Sequence, residues 1–147
     1  MATCKEVMTQ NPVCCEPGDS VSRVAGVMRQ QDVGSVPVVD SQKGRQLVGI
    51  VTDRDLVVKV LADGRAADQA TVKDAMTANP VCCREEDQVT QALDRMKERQ
   101  VRRMPIVDGT GRLVGIIAQA DIATRINRDQ QTGELVEAIS EAGTSRR

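Results

Sequence analysis

The sequence lacks histidine and all three aromatic residue types: its 147 residues include no His, Phe, Tyr or Trp. Histidine is the usual general base and the commonest metal ligand, so a Ser-His or Cys-His nucleophile pair cannot form within one chain. Without aromatic rings, nucleic-acid bases have nothing to stack on. The first absence lowers the expectation of catalysis, and the second argues against a protein that binds single-stranded nucleic acid.

The chain also lacks a charge excess. Lys and Arg number 20 and Asp and Glu number 21, a net charge of −1 at pH 7, which offers no electrostatic reason to expect DNA or RNA as a partner. No apolar run approaches the length of a membrane span, and the N-terminus does not follow the plan of a signal peptide. With 40% hydrophobic and 28% charged residues, we expect one compact globular protein in the cytoplasm, with reduced thiols.

What the chain does contain is an internal repeat. Three blocks recur in the same order: VMTQNPVCC (7–15) with AMTANPVCC (75–83), VGSVPVVD (33–40) with VRRMPIVD (101–108), and LVGIVTDRDL (47–56) with LVGIIAQADI (113–122). The shared order predicts two homologous units. Two copies are too few for a solenoid and favour a pseudo-twofold pair whose apolar faces cover each other.

Each unit contains a predicted amphipathic helix after its NPVCC segment. Apolar residues follow the i, i+3, i+4, i+7 spacing of one helix face at Val21, Val24, Ala25 and Met28, and again at Val89, Ala92, Leu93 and Met96. The expected N-cap is Asp19 or Ser20 in the first unit and Asp87 in the second.

The other segments complete a β-α-β-β-α unit, which places the protein in the α+β fold class. We predict strands at 36–39, 47–51, 104–107 and 113–117, helices at 53–62 and 119–127, and lead-in helices at 5–8 and 72–76. NPVCC is expected to mark the opening strand of each unit. After residue 127 the chain becomes polar, with one more helix expected at 135–139.

These motifs resemble a tandem pair of cystathionine-β-synthase (CBS) domains. The resemblance rests on M-T-x-N-P-V, on the V-P-V-V-D and M-P-I-V-D strands and on G-I-V-T-D-R-D, and it covers residues 5–127. The chain is most similar to stand-alone bacterial CBS pairs, including the hypoxic-response type. We divide it into CBS unit 1 (5–63), a linker (64–71), CBS unit 2 (72–127) and a C-terminal helix with a polar tail (128–147).

The segment GIVTDRDL (49–56) is the predicted ligand site. A helix that starts after Thr52 would offer free backbone N–H groups and a positive dipole end, which suits a phosphate. The Thr52 hydroxyl can donate to a phosphate oxygen, Asp55 can accept hydrogen bonds from ribose hydroxyls, and Gly49 allows close backbone approach. Thr52 and Asp55 also match a capping box, which is the alternative role. The resemblance implies that they bind an adenosine nucleotide.

The second unit departs from this pattern. It has Ala118 where the first unit has Thr52, and it keeps the acid as Asp121. We therefore expect one competent cleft and one that is weaker, different or empty. Arg102 and Arg103 precede the second proline-containing strand, and the resemblance implies that basic residues there face phosphates, which suits the rigid guanidinium fork. Exposed arginines at the start of a strand are the alternative.

An adenine in this protein has to lie between aliphatic groups, and the candidates are Val13, Val36, Ile50 and Val51, which could equally be core residues. Arg54 and Lys59 are expected to be solvated helix charges. The full set of predicted ligand-binding residues is Gly49, Ile50, Val51, Thr52, Asp55, Arg102, Arg103, Asp121, Val13 and Val36.

Four of the five cysteines form two adjacent pairs, Cys14 with Cys15 and Cys82 with Cys83. Strong zinc spacing is C-x-x-C, whereas adjacent residues on a strand point to opposite faces. We expect one thiol of each pair in the core and the other more exposed. A metal or redox site made from Cys14, Cys15, Cys82 and Cys83 is kept as the minority alternative.

These observations and the resemblance together predict a non-catalytic regulatory module. Its ligand is expected to be an adenosine nucleotide (AMP, ADP or ATP), bound between the two units and signalling to a partner protein. No cofactor is certain, and neither nucleic acid nor a membrane is expected as a partner. The resemblance implies a homodimer of four CBS units in a flat disc. A ligand-free structural or interaction pair, or a cysteine-based redox or metal sensor, is the alternative function.

Overall fold

A computed structural model of the chain describes residues 2–131 and confirms the α+β class. The predicted helix at 135–139 and most of the predicted tail lie outside the described residues. Within residues 2–131, no helix combines the length and apolarity that crossing a bilayer requires.

The elements follow the repeat. The first half contains α1 (Cys4–Val7), β1 (Thr9–Gln10), α2 (Val21–Gln31), β2 (Ser35–Val39), β3 (Leu47–Thr52), α3 (Asp53–Asp55) and a π-helical segment (Leu56–Leu61). The second half contains α4 (Val72–Ala75), β4 (Thr77–Ala78), β5 (Cys83–Arg84), α5 (Val89–Arg99), β6 (Arg103–Val107), β7 (Leu113–Ala118) and α6 (Gln119–Asp129).

The strands form two sheets, and each sheet contains strands from both repeats. One sheet has the order β1-β7-β6-β5 and the other has the order β2-β3-β4. The lead-in strand β1 pairs with β7 of the second repeat, and β4 pairs with β3 of the first. The two repeats therefore exchange their lead-in segments, which ties the halves of the chain together.

The cores follow the same exchange. One core contains Val24, Val36, Val51 and Val60 of the first repeat together with Val72 of the second repeat's lead-in helix. The other core contains Met96, Met104, Ile106 and Ile117 of the second repeat, joined by Cys4 from α1. The sequence division at 63 and 72 separates the repeats, whereas each core is built from both.

Gly49 and Gly115 make the exchange possible because each lies under a lead-in strand. A Cβ on Gly49 would lie 2.8 Å from the Met76 sulfur and 2.9 Å from the carbonyl oxygen of Thr77. A Cβ on Gly115 would overlap the Met8 side chain and lie 3.0 Å from the carbonyl oxygen of Thr9. Any side chain at these positions would push the lead-in strand off the sheet.

Four local predictions need correction. The segment predicted as a single helix at 53–62 is one α-helical turn followed by a π-helix. In the π-helix the hydrogen bonds span five residues, as from the Ala62 N–H to the carbonyl oxygen of Val57. The N-cap of α5 is Gln88 and not Asp87, whose carboxylate instead accepts a hydrogen bond from the Arg84 N–H at 2.9 Å. Ser20 does cap α2. Ala25, predicted on the buried stripe of that helix, is exposed.

The fourth correction concerns NPVCC. In the first repeat the motif forms no continuous strand, since only Cys15 makes an isolated bridge, to Val38. In the second repeat only the last cysteine, Cys83, lies in a strand, β5. Asn11 and Asn79 adopt left-handed φ angles of 48° and 51°, which turn the chain after the lead-in strand. The motif is therefore mainly a turn between two sheets.

Candidate functional site

The site begins where β3 ends and α3 starts. The backbone N–H of Asp55 donates to the Thr52 hydroxyl oxygen at 3.1 Å, and the backbone N–H of Thr52 donates to Oδ2 of Asp55 at 3.0 Å. This is a capping box. In this arrangement the Thr52 hydroxyl only accepts, so its own proton is available to another acceptor. The capping role of Thr52 is thus compatible with a binding role.

Asp55 is held by a second group, Lys59. The Lys59 ammonium lies 3.3 Å from Oδ1 of Asp55 and donates to the carbonyl oxygen of Ala75 at 3.1 Å. The Lys59 side chain is 42% exposed, so it is a solvated helix charge as expected, but it also makes these two specific contacts. The Asp55 side chain is only 16% exposed. Each carboxylate oxygen has about two acceptor positions, so Asp55 retains capacity for further donors.

Thr52 and Asp55 face a cleft between the two repeats, which we call the Thr52 cleft. Its volume is about 290 Å³. One wall comes from β3 and α3, and the opposite wall comes from β4 and the segment after it, the end of α5 and β6. The lining residues are Ile50, Thr52, Asp55, Thr77, Asn79, Pro80, Val81, Arg99, Val101, Arg103 and Pro105.

The charge in this cleft is positive. Arg99 and Arg103 line it, and neither makes an ion pair or side-chain hydrogen bond with any residue in the described range 2–131. The Asp55 carboxylate is the acid in the lining, and Lys59 already balances it. Two unbalanced guanidinium groups in a partly enclosed cleft create a site that favours an anion.

The structure brings some of the predicted site residues together and separates others. Ile50, Thr52, Asp55 and Arg103 line one cleft. Val36 and Val51 are fully buried in the first core, and Gly49 is buried beneath β4. Core packing explains all three, and none of them lines the Thr52 cleft, so a ligand contact of Val36, Val51 or Gly49 stays a prediction.

Val13 is 38% exposed and does not line the Thr52 cleft. Its repeat counterpart, Val81, lines that cleft instead. The reason is the exchange of lead-in segments, which brings the second NPV segment to the first unit's strand β3. A sequence comparison of the two repeats identifies the valine type but not which copy contacts which unit.

Asp121 lies in a different cavity of about 290 Å³, lined by Glu6, Val7, Thr9, Asp121, Thr124, Arg125 and Arg128. There Arg125 pairs with Glu6 at 3.3 Å and with Asp129 at 3.2 Å. Ala118 gives α6 no side-chain cap. The repeat counterparts of Arg99 and Arg103 are Gln31 and Ser35, so that half of the molecule has no matching guanidinium groups at these positions.

Reasoning from the sequence missed Asn79, Val81 and Arg99. Arg99 follows the apolar stripe of α5 and looks like an ordinary cation in the last turn of a helix. Its signal would have been the repeat itself, since Gln31 occupies the same place in the first unit. A charge difference between matched positions marks a residue that the fold does not require.

The cysteines are all free thiols. Cys14 and Cys15 are both buried, so the expected division into one core and one exposed thiol is wrong for the first pair. The second pair follows it: Cys83 is 1% exposed and Cys82 is half-buried. Within residues 2–131, no three Cys, Asp or Glu side chains lie close enough together to share a metal ion.

Cys83 lies in a buried cluster with Cys4. Arg95 Nη1 lies 3.3 Å from the Cys83 sulfur. The hydrogen bond from Cys4, supported by Arg95, lowers the pKa of the Cys83 thiol, and the same contact together with burial raises that of Cys4. Burial raises the pKa of Cys15 to about 12 and also raises that of Cys82. Cys4 and Cys83 join α1 of the first repeat to β5 of the second.

Comparison with known proteins finds relatives that match most of this chain. The chain is 36% identical to the Bacillus subtilis protein YlbB over 141 residues, covering 96% of this chain and 93% of that one. It is 32% identical to hypoxic response protein 1 of Mycobacterium tuberculosis over 126 residues, covering 86% of each. It spans only 23% of an inosine-5'-monophosphate dehydrogenase of Methanocaldococcus jannaschii, at 38% identity.

Solved structures share the fold. A crystal structure of hypoxic response protein I with two coordinated zinc ions matches with a TM-score of 0.76 and 32% identity, over 84% of this chain and 98% of that one. CBSX2 of Arabidopsis thaliana in complex with AMP matches with a TM-score of 0.77 over 88% and 99%, at 24% identity, which shows the fold alone. The CBS domain family model matches residues 4–62 and 72–128. Each repeat is therefore a CBS domain, and the chain belongs to the CBS domain family.

Proposed function

We propose that the protein is a regulatory module that binds an adenosine nucleotide, AMP, ADP or ATP, in the Thr52 cleft. The observation that carries this proposal is the composition of the cleft. A hydroxyl and a carboxylate on one wall face two unpaired arginines on the other. Hydroxyl, carboxylate and guanidinium groups are the partners that a phosphorylated sugar requires.

Each part of the nucleotide has a matching part of the cleft. Asp55 accepts hydrogen bonds from the ribose hydroxyls, and the Thr52 hydroxyl donates to a phosphate oxygen. Arg99 and Arg103 supply charge to the phosphate. The adenine ring lies between aliphatic groups such as Ile50, because the chain has no aromatic side chain to stack on it.

The proposed role is regulation without catalysis. Stand-alone CBS pairs are generally regulatory, and the missing histidine removes the usual general base. Because the cleft takes one wall from each repeat, a bound nucleotide holds the two repeats in one arrangement. A partner protein that binds this arrangement with different affinity would read the signal.

The proposed assembly is a homodimer. Val57, Val58 and Leu61 of the π-helical segment are 54%, 51% and 57% exposed, and they form an apolar patch on an otherwise polar helix surface. In a twofold dimer, the same patch on both chains would meet its own copy. The resemblance to stand-alone CBS pairs also implies a homodimer, which agrees with this use of the patch.

Thermal unfolding with AMP, ADP, ATP and guanosine nucleotides tests the proposal. A nucleotide present at 100 times its Kd adds about 2.7 kcal/mol to the free energy of unfolding, and the melting temperature rises by several degrees. Asp55→Asn keeps an oxygen for the cap but removes the charge, and we expect it to weaken binding. Asp121→Asn is the matched control in the other repeat, and we expect wild-type binding.

Three outcomes would contradict the nucleotide proposal: no stabilisation by any adenosine nucleotide at millimolar concentration, equal stabilisation of the Asp55→Asn variant, or loss of binding in Asp121→Asn alone. The first would favour the ligand-free interaction module. Isothermal titration calorimetry repeats the comparison without heating, so a variant of lower stability still gives an interpretable affinity.

A further inference from the structure

Two cysteine side chains from different repeats meet in the second core. The Cys4 thiol donates a hydrogen bond to the Cys83 sulfur, and the two residues are 0% and 1% exposed. The backbone on both sides fixes this contact. The Cys4 N–H donates to the carbonyl oxygen of Asp87 at 2.8 Å, and two residues on the Val89 N–H donates to that of Ala2 at 3.0 Å. The exchange of lead-in segments therefore holds the two thiols together and joins α1 to β5.

The fold does not require this pair of thiols. The repeat counterpart of Cys83 is Cys15, which lies in the first core. The counterpart of Cys4 is Val72, which packs in that same core. A valine therefore fills the place that Cys4 fills in the second core, and the second thiol is particular to one half of the molecule.

Arg95 adds a cation to the Cys4–Cys83 contact. Its Nη1 lies 3.3 Å from the Cys83 sulfur and 2.7 Å from the carbonyl oxygen of Cys82. The repeat counterpart of Arg95 is Val27, so this cation is also particular to the second half. The hydrogen bond from Cys4, supported by Arg95, lowers the pKa of Cys83. The thiolate is the reactive form of cysteine, so Cys83 is the nucleophile of the pair.

A cavity of about 380 Å³ gives access to Cys83. Its lining includes Cys83, Arg95, the half-buried Cys82 and Arg84. Arg84 and Arg95 are exposed, so the cavity opens to solvent. Cys4 does not line it. A small oxidant that enters this cavity meets the Cys83 sulfur before that of Cys4.

We propose that Cys83 is an oxidation site for hydrogen peroxide and that its oxidised form makes a disulfide with Cys4. The Cys83 thiolate attacks one peroxide oxygen and the O–O bond breaks. Cys83 becomes a sulfenic acid, and the other oxygen leaves as hydroxide, which takes up the proton that the Cys83 thiol released. The Cys4 sulfur then attacks the Cys83 sulfur, the S–O bond breaks, and hydroxide leaves with the Cys4 proton as water. Two thiols lose two electrons, and one peroxide is reduced to two water molecules.

Cys82 is the competing partner, because it lines the same cavity as Cys83. Adjacent cysteines are poor partners, since their Cα atoms lie about 3.8 Å apart and relaxed disulfides have roughly 4.4–6.8 Å. Cys4 already contacts the Cys83 sulfur. A Cys4–Cys83 bridge ties the lead-in helix of the first repeat to a strand of the second, and it holds the exchanged arrangement until a reductant breaks it.

Peptide mass spectrometry of the full chain tests the proposal. The reduced protein is treated with equimolar hydrogen peroxide, its remaining thiols are blocked, and it is digested with trypsin without reduction. Cleavage after Lys and Arg separates the cysteines into three peptides: Cys4 on 1–5, Cys14 and Cys15 on 6–23, and Cys82 and Cys83 on 74–84. We expect peptides 1–5 and 74–84 to be joined. The number of free thiols should fall from five to three, because the bridge uses two.

Three variants assign the roles of the side chains. Cys4→Val introduces the residue type of the matched position 72, and we expect no joined peptide and a Cys83 sulfenic acid that dimedone traps. Cys82→Ser is the matched control at the neighbouring thiol and should form the wild-type bridge. Arg95→Met should form the same bridge about tenfold more slowly, the factor expected for the loss of one charge-assisted hydrogen bond.

Four results would overturn the proposal. They are a bridge between Cys82 and Cys83, a joined peptide that contains residues 6–23, thiols of Cys4 and Cys83 that survive after Cys82 is oxidised, and dimedone on Cys82 in place of Cys83 in the Cys4→Val variant. The wild-type peptide map needs no substitution, so it decides the pairing even where a variant fails to fold. The chemistry does not involve a nucleotide, so either result leaves the proposed function unchanged.

Discussion

The Lys59 ammonium lies 3.3 Å from Oδ1 of Asp55, and it also donates to the carbonyl oxygen of Ala75 at 3.1 Å. Lys59 and Asp55 belong to the first repeat, whereas Ala75 ends the lead-in helix of the second. One side chain therefore balances the acid in the Thr52 cleft and joins the two repeats. We therefore expect the proposed ligand affinity and the packing of the repeats to be coupled at this lysine.

Replacing Lys59 with methionine should affect both properties. The loss of an i, i+4 ion pair and of one hydrogen bond should lower the free energy of unfolding by about 1 kcal/mol. Because the Asp55 charge is then unbalanced, phosphate binding should also weaken. Urea unfolding and calorimetric titration measure the two effects. Lys73→Met, at an exposed position on α4, should change neither, and wild-type behaviour of Lys59→Met would contradict the coupling.

Glycine substitutions test the packing of the lead-in strands. Gly49→Ala places a methyl group 2.9 Å from the carbonyl oxygen of Thr77, a backbone atom that cannot move alone. We expect a loss of about 1–3 kcal/mol in the free energy of unfolding. Gly26→Ala is the control, because nothing lies within 4 Å of its Cβ and its place inside α2 favours alanine by roughly 0.5–1 kcal/mol. Equal effects of the two substitutions in chemical denaturation would refute the close approach.

Leu61 tests the proposed dimer patch. Since the Leu61 side chain is 57% exposed within one chain, Leu61→Glu should leave the fold of the monomer unchanged. It should place two like charges against each other in the dimer. Light scattering after gel filtration should give about twice 15.9 kDa for the wild type and about that mass for the variant. Gln30→Glu, at an exposed position on α2, should remain dimeric; a dimeric Leu61→Glu variant would exclude this patch.

Alkylation of the native protein tests the thiols. Cys82 is the half-buried cysteine and the other four are buried, so we expect iodoacetamide to modify Cys82 first. Because burial raises the pKa of Cys82, its rate should keep rising as the pH passes the usual ionisation of a thiol, about 8.5. Peptide mass spectrometry identifies the modified residue. Faster reaction of Cys83, whose pKa is lowered, would mean that thiolate character outweighs burial.

The repeat and its periodicities predicted much of the fold. The stripes at Val24 and Met96 became core residues because an apolar helix face has to be covered whatever its partner is. The exchange of lead-in segments could not be predicted, since β1 and β4 fit either unit equally well in sequence. The π-helical form of residues 56–61 could not be predicted either, because closely spaced valines suit an α-helix and a π-helix equally.

The site was predictable to the extent that it is local. Thr52 and Asp55 were found because strand end, cap and helix start lie within four residues. Arg99 and Val81 reach the same cleft only through tertiary contacts, so no nearby pattern marks them. Val36 and Val51 could be either core or ligand-contacting residues from the sequence, because alternation along a strand does not say which face meets the core, and the structure packs both in the first core.

A substitution at Ala118 tests capping by adding the side-chain cap that α6 lacks. Its backbone is extended, with φ −108° and ψ 147°, close to the −117° and 162° of Thr52, and Asp121 occupies the third position of α6 as Asp55 does in α3. Ala118→Thr should therefore complete a capping box and stabilise the protein by about 1 kcal/mol. Ala118→Val has nearly the same shape without the hydroxyl and should give no such gain. Equal stabilisation by both in urea unfolding would assign the effect to packing and would refute the prediction that a hydroxyl at position 118 caps α6.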